Sequence, residues 1–175
     1  VIAFRTALDA QFQQLRNTLI AIATTGALSI DGDAHARIPP TPGSESLPAY
    51  RELVRILRAI RDANPSIRYV YTLVPSDDAT RWQYVGDAEE YESSYLGERY
   101  DASRYPAMLA AVTGPNADPK LTYDEWGVLL SGYAPIKDSK SQTVAVLGID
   151  MSGDQVMRTQ AALRHWCMVM MFIGL

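Results

Sequence analysis

From Phe4 to about Leu28 the apolar residues Phe4, Leu8, Phe12, Leu15, Leu19 and Ile22 recur in steps of three and four, which keeps one helix face apolar. The spacing predicts an amphipathic helix. It also suits a coiled-coil seam, but it lasts too few heptads to separate self-pairing from packing on a sheet. A loop over 29–46 follows, with Asp31-Gly32-Asp33-Ala34-His35 and the breaker run Pro39-Pro40-Thr41-Pro42-Gly43. A second helix is expected over 47–63, with Tyr50, Leu53, Val54, Leu57 and Ile60 on one side, and Asn64-Pro65 ends it.

Beyond that point the period shortens. Ile67 to Val74 is β-branched and aromatic, Pro75 to Thr80 is turn-like, and Arg81 to Val85 reads as a returning strand, so the two form a hairpin. Residues 87–99 make an acidic, Tyr-bearing connection, and 103–112 have a short helical pattern closed by Gly114-Pro115. After a loop over 116–124, the runs 126–136 and 143–151 flank a polar turn and read as a second hairpin. Ser152-Gly153-Asp154-Gln155 has capping-box spacing, so an exit helix is expected over 153–165. Hairpins need only short turns, whereas parallel pairs need long crossovers, so the layout is α+β with an antiparallel sheet. The N-terminal helix should cover one face and the connector between the hairpins the other. A concavity beneath that connector is where a small-molecule site is expected.

Composition narrows the class. The 175 residues carry 16 basic and 20 acidic side chains, a formal charge of -4, and 47% hydrophobic residues, which fits one globular domain. Charges are scattered and the balance is acidic, so no nucleic-acid partner is expected. The single cysteine, Cys167, forms no internal disulfide. Trp166 to Leu175 carries no charge and follows Arg164-His165. Ten apolar residues are half a membrane span, and a Trp beside basic residues suits the interface, so residues 166–175 read as the start of a transmembrane helix or as a buried helix end. Together with an opening on Val1, this makes the chain read as a segment excised from a longer protein.

All ten Tyr residues lie between Tyr50 and Tyr133, as do Trp82 and Trp126. Aromatic rings with polar handles suit a core or a pocket wall; Tyr71, Trp82, Tyr84, Tyr100, Tyr105, Trp126 and Tyr133 are the candidates for a ligand cavity. Asp87 follows a strand directly, and Asp150 ends the apolar run Val144 to Ile149. A carboxylate among apolar neighbours needs a partner, which an amine ligand supplies; for Asp150 the alternative is capping the exit helix. Asp31, Asp33 and His35 alternate as divalent-ion ligands do, although no calcium loop completes the pattern, and turn chemistry accounts for them more simply. There is no phosphate loop, HExxH, CxxC or GxSxG, so neither enzymatic activity nor a cofactor is expected in this segment. The stripe Arg51, Arg55, Arg58 and Arg61 reads as a solvated face, with an anionic lipid surface or partner as its functional alternative.

Several phrases, taken in order, resemble a known family: Asn64 to Thr72, Trp82 to Glu89, Leu96 to Asp101, Ser131 to Ile136, and Val146-Leu147-Gly148-Ile149-Asp150-Met151. They are similar to Cache domains, the PAS-like extracytoplasmic sensor modules of bacterial membrane receptors such as histidine kinases, cyclases and chemoreceptors. The resemblance spans roughly Phe4 to Val156 and implies a single-module domain (1–165) with a five-stranded antiparallel sheet against a long N-terminal helix. In the tandem amino-acid binders of that family an Arg and an adjacent Trp-Tyr pair share a strand. Here Arg81, Trp82 and Tyr84 are similar, but Gln83 separates the aromatics.

The resemblance implies a periplasmic segment of an inner-membrane protein that takes a small-molecule ligand, pairs as a homodimer through the N-terminal helix and meets the membrane through flanking helices. A ligand-free dimerisation spacer is the alternative, and a metal-dependent hydrolase using Asp31, Asp33 and His35 is a remote one.

Overall fold

In a computed structural model, the structure describes residues 2–89, 95–124, 127–158 and 161. The first helix, α1 (Ile2–Leu28), is 27 residues long, and Leu19, Ala23 and Ala27 at four-residue spacing are its buried line. Towards its start, Phe12 and Leu15 are only partly covered. The stretch expected as loop contains one helical turn, α2 (Gly32–His35), whose first free amides are met by the Asp31 carboxylate, accepting from the Ala34 N–H at 3.0 Å. Helix α3 (Pro48–Asp62) starts on a proline, which lacks the N–H a first turn leaves unpaired, and buries Leu53 and Leu57. The Asn64 side chain closes it by donating to the Ile60 carbonyl at 2.6 Å.

The strands are β1 (Ile67–Pro75), β2 (Arg81–Asp87), β3 (Arg99–Asp101), β4 (Asn116–Ala117), β5 (Thr122–Asp124), β6 (Gly127–Lys137) and β7 (Thr143–Ser152). A helical turn at Ala102–Arg104 and α4 (Pro106–Ala110) lie between β3 and β4, so the single helix expected over 103–112 is split at Tyr105-Pro106. All pairings are antiparallel in the order β3-β2-β1-β7-β6-β4, with β5 also on β6. The sheet therefore has seven strands rather than five. The unforeseen ones, β3, β4 and β5, are two or three residues long, too short for an alternating pattern to register.

Both expected hairpins are present, joined through β1 and β7. In β1–β2 the register shifts: Thr72 pairs with Gly86 and Leu73 with Tyr84, leaving Val85 as the extra residue of a bulge. After β7, residues 153–158 are helical (α5), and the Ser152 hydroxyl accepts from the Gln155 N–H at 3.2 Å, as the capping spacing requires. Residues 166–175 lie outside the described residues. No described helix is long and apolar enough to cross a membrane.

Alternation along the strands separates two cores. Val70 of β1, Leu130, Ala134 and Ile136 of β6, and Ala145, Leu147, Ile149 and Met151 of β7 pack with α1 and α3. The opposite face carries Tyr71, Leu73, Trp82, Tyr84, Tyr133 and Val146, covered by Ala102, Tyr105, Ala107, Met108 and Ala111. The connector thus roofs the face the helices leave open. Helix α1 sits tight on the sheet at Gly132, where a Cβ would stand 2.7 Å from that of Leu19.

Candidate functional site

The second core assembles most of the aromatic candidates. Tyr71, Trp82, Tyr84, Tyr105 and Tyr133 are buried in one cluster, with Tyr100 packed against it. Tyr71 meets Tyr84 edge to face at 5.6 Å between ring centroids, Tyr84 meets Tyr100 likewise at 5.7 Å, and Tyr100 stacks on Tyr105 at 5.4 Å. These are favoured aromatic geometries. Tyr71, Tyr84, Tyr100 and Tyr105 thus form a continuous floor of rings. Gly148 makes room for it, because Gly148 pairs with Tyr71 on one side and Tyr133 on the other, and a side chain there would overlap the Tyr71 ring. The Trp82 indole N–H donates to the Ala79 carbonyl at 3.0 Å.

Two buried carboxylates border this floor. Asp150 of β7, 4% exposed, stands opposite Tyr69 and Ser131 and accepts a hydrogen bond from the Tyr71 hydroxyl at 3.2 Å. Asp118, 1% exposed, follows β4; its N–H donates to the Ser131 carbonyl at 2.9 Å, and its carboxylate takes a long contact of 3.4 Å from the Tyr133 hydroxyl. Burial pushes the Asp118 carboxyl up to about 7, against hydrogen bonds from Tyr133 and Ser131 and the charge of Arg16, which act to lower it. The Tyr71 and Tyr133 hydroxyls are held well above their ordinary range, by burial first and by these neighbouring carboxylates second. Among the described residues the buried Asp side chains are these two, and no Lys or Arg is buried.

By sequence, Asp118 falls within the loop expected over 116–124. Only its pairing next to β4 brings it to the face, and a two-residue strand leaves no pattern to read. Of the other candidates, Asp87 ends β2, half-buried and in register with Tyr71, and its carboxylate accepts from the Glu89 N–H at 2.9 Å. Trp126 lies outside the described residues, as do residues 90–94 of the connector.

Asp31, Asp33 and His35 do not converge. Asp31 caps α2, Asp33 accepts from the backbone and hydroxyl of Ser139 at 3.2 Å each, and His35 is buried with Nε2 2.9 Å from the Thr72 hydroxyl, which also accepts from the Gly86 N–H. No group of metal-ligating side chains occurs among the described residues. The arginine stripe is also largely engaged. Arg58 and Arg61 donate to the Ala88 carbonyl, Arg61 pairs with Glu89 and Asp62, and Arg55 pairs with Glu52.

No protein-family model matches the chain, and no curated protein matches it by sequence. Solved structures do. The ligand-binding domain of the Campylobacter jejuni chemoreceptor Tlp3, in complex with L-valine, has a TM-score of 0.58 at 12% identity, over 91% of this chain and 61% of that one. The Escherichia coli DcuS sensor domain has a TM-score of 0.52 at 14% identity, over 91% of this chain and 98% of that one. An extracellular ligand-binding receptor from Desulfohalobium retbaense has a TM-score of 0.56 at 16% identity, over 89% of this chain and 26% of that one. The chain therefore has the fold of bacterial receptor sensor domains and spans about three-fifths of the length of the Tlp3 domain.

Proposed function

We propose that this chain is an extracytoplasmic ligand-sensing domain of a bacterial membrane receptor of the histidine kinase, cyclase or chemoreceptor type, and that it binds a small cationic amine. The observation that carries the ligand class is the pair Asp118 and Asp150. Two carboxylates taken out of water beside an aromatic floor make an environment that favours a cation. An ammonium donates hydrogen bonds to both carboxylates while its apolar part lies on Tyr71, Tyr84 and Tyr133. No buried Lys or Arg stands ready among the described residues to take a ligand carboxylate.

The fold likeness supports the sensing role, and the near-complete coverage of the DcuS domain supports a single module. The site lies on the face of β6 and β7 opposite α1, and β7 runs into α5, so binding can bias the receptor if it favours one placement of these terminal helices over another. In this reading α1 also pairs with its counterpart in a second copy, and the flanking segments lead to the inner membrane.

Calorimetry on the purified chain tests the site with isobutylamine and L-valine, which share a side chain and differ by the carboxylate. The amine is expected to bind the better of the two, and Asp150→Asn is expected to abolish binding while the circular dichroism spectrum is kept. Tighter binding of valine overturns the amine assignment. No heat and no thermal shift with a panel of amines favours the spacer reading instead.

A further inference from the structure

Arg16 of α1 reaches across to the strand that carries Asp118. Its Nε donates to the Asp118 carbonyl at 2.8 Å, one terminal nitrogen donates to the Ala117 carbonyl at 3.0 Å, and the other donates to Gln13 at 2.7 Å. A guanidinium is planar and forked, so this two-carbonyl grip fixes the peptide plane as well as its distance from the helix. One turn further along α1, the Leu19 backbone lies against Gly132, which pairs with Ala117. Helix and strand are therefore locked at two points. Asp118 then points two ways, with its carbonyl held by α1 and its carboxylate next to Tyr133 on the aromatic face.

We propose that Arg16 is the positioning residue for Asp118, setting both the place and the charge state of that carboxylate, so that the long helix and the ligand face are coupled through one residue. The ligand half of this statement rests on the reading of the aromatic face as the binding site. The groups that act on Asp118 among the described residues are Arg16 from α1, and Tyr133 and Ser131 from β6. Of these, Arg16 alone brings a positive charge. Coupling of this kind is reciprocal: if a bound cation favours one placement of α1, that placement favours the cation by the same factor.

The test begins without ligand. Carbon NMR of the Asp118 carboxyl is expected to titrate near pH 7 in the parent chain. In Arg16→Gln the midpoint rises by roughly half to one pH unit, because an attractive charge is lost, with Arg16→Lys between the two. Isobutylamine affinity at pH 7 then falls about two- to fivefold in Arg16→Gln, in proportion to the ionised fraction, and is unchanged at pH 9. A midpoint unmoved by Arg16→Gln in a folded chain overturns the proposal, as does an affinity loss equal at both pH values. If the midpoint moves and no amine binds, Arg16 controls Asp118 as proposed and the amine reading alone fails.

Discussion

Replacing His35 with Gln is expected to raise stability in acid relative to the parent chain, and the size of the effect follows from where the imidazole sits. Burial lowers His35 from an ordinary 6.5 to about 4. Its Nδ1 has no hydrogen-bond partner, so protonation would place a second N–H where no acceptor stands. The folded state prefers the neutral ring, so this contribution is intact above pH 6.5 and is lost as the pH falls towards 4. The fall from 6.5 to about 4 is worth about 3 kcal/mol, of which about 2 kcal/mol is lost by pH 5.

Asp118 acts in the opposite sense. Its folded value, about 7, lies above its ordinary 3.8, so its contribution is greatest in acid and is lost as the pH rises through 7. By pH 5 that group has gained about 3 kcal/mol relative to its ionised state, so the two nearly cancel and leave a net change of about 1 kcal/mol or less between pH 6 and 4. Urea unfolding followed by circular dichroism at pH 8, 6, 5 and 4 separates them. The stability of His35→Gln minus that of the parent should climb by about 2 kcal/mol from pH 8 to 5, and that of Asp118→Asn minus the parent should fall by about 3 kcal/mol. A His35→Gln curve parallel to that of the parent across the range would refute the burial argument.

Gly132→Ala forces a methyl to within 3.0 Å of the Leu19 backbone and is expected to cost about 1–3 kcal/mol by urea unfolding. An unchanged midpoint refutes the close seat of α1 on β6. Ser152→Ala removes the acceptor for the Gln155 N–H and is expected to cost about 1 kcal/mol, seen as lost amide-exchange protection over 153–158. Equal protection in the two proteins contradicts the cap.

The long elements were legible because each has a repeat and a stop. Leu19, Leu53 and Leu57 follow the helical period, Asn64-Pro65 halts α3, and the β-branched runs of β1, β6 and β7 are long enough to alternate. The aromatic members of the face were legible because Tyr and Trp crowd one half of the chain. Asp118 was not. Its importance comes from pairing with Ser131 thirteen residues away, a contact with no local sign. His35 likewise reads from the sequence as part of a turn, and becomes a buried partner of Thr72 because α2 packs against β7 and α3.

The alternation of β7 divides one strand between two constituencies. Val146, Gly148 and Asp150 look towards the rings, while Ala145, Leu147, Ile149 and Met151 look towards α1 and α3. Substitution at 146 and 150 therefore acts on the aromatic core and leaves the helix side alone, whereas substitution at the intervening positions acts on the seat of α1 and α3. Gly148 is the exception that both parties must leave alone, since any side chain there evicts Tyr71.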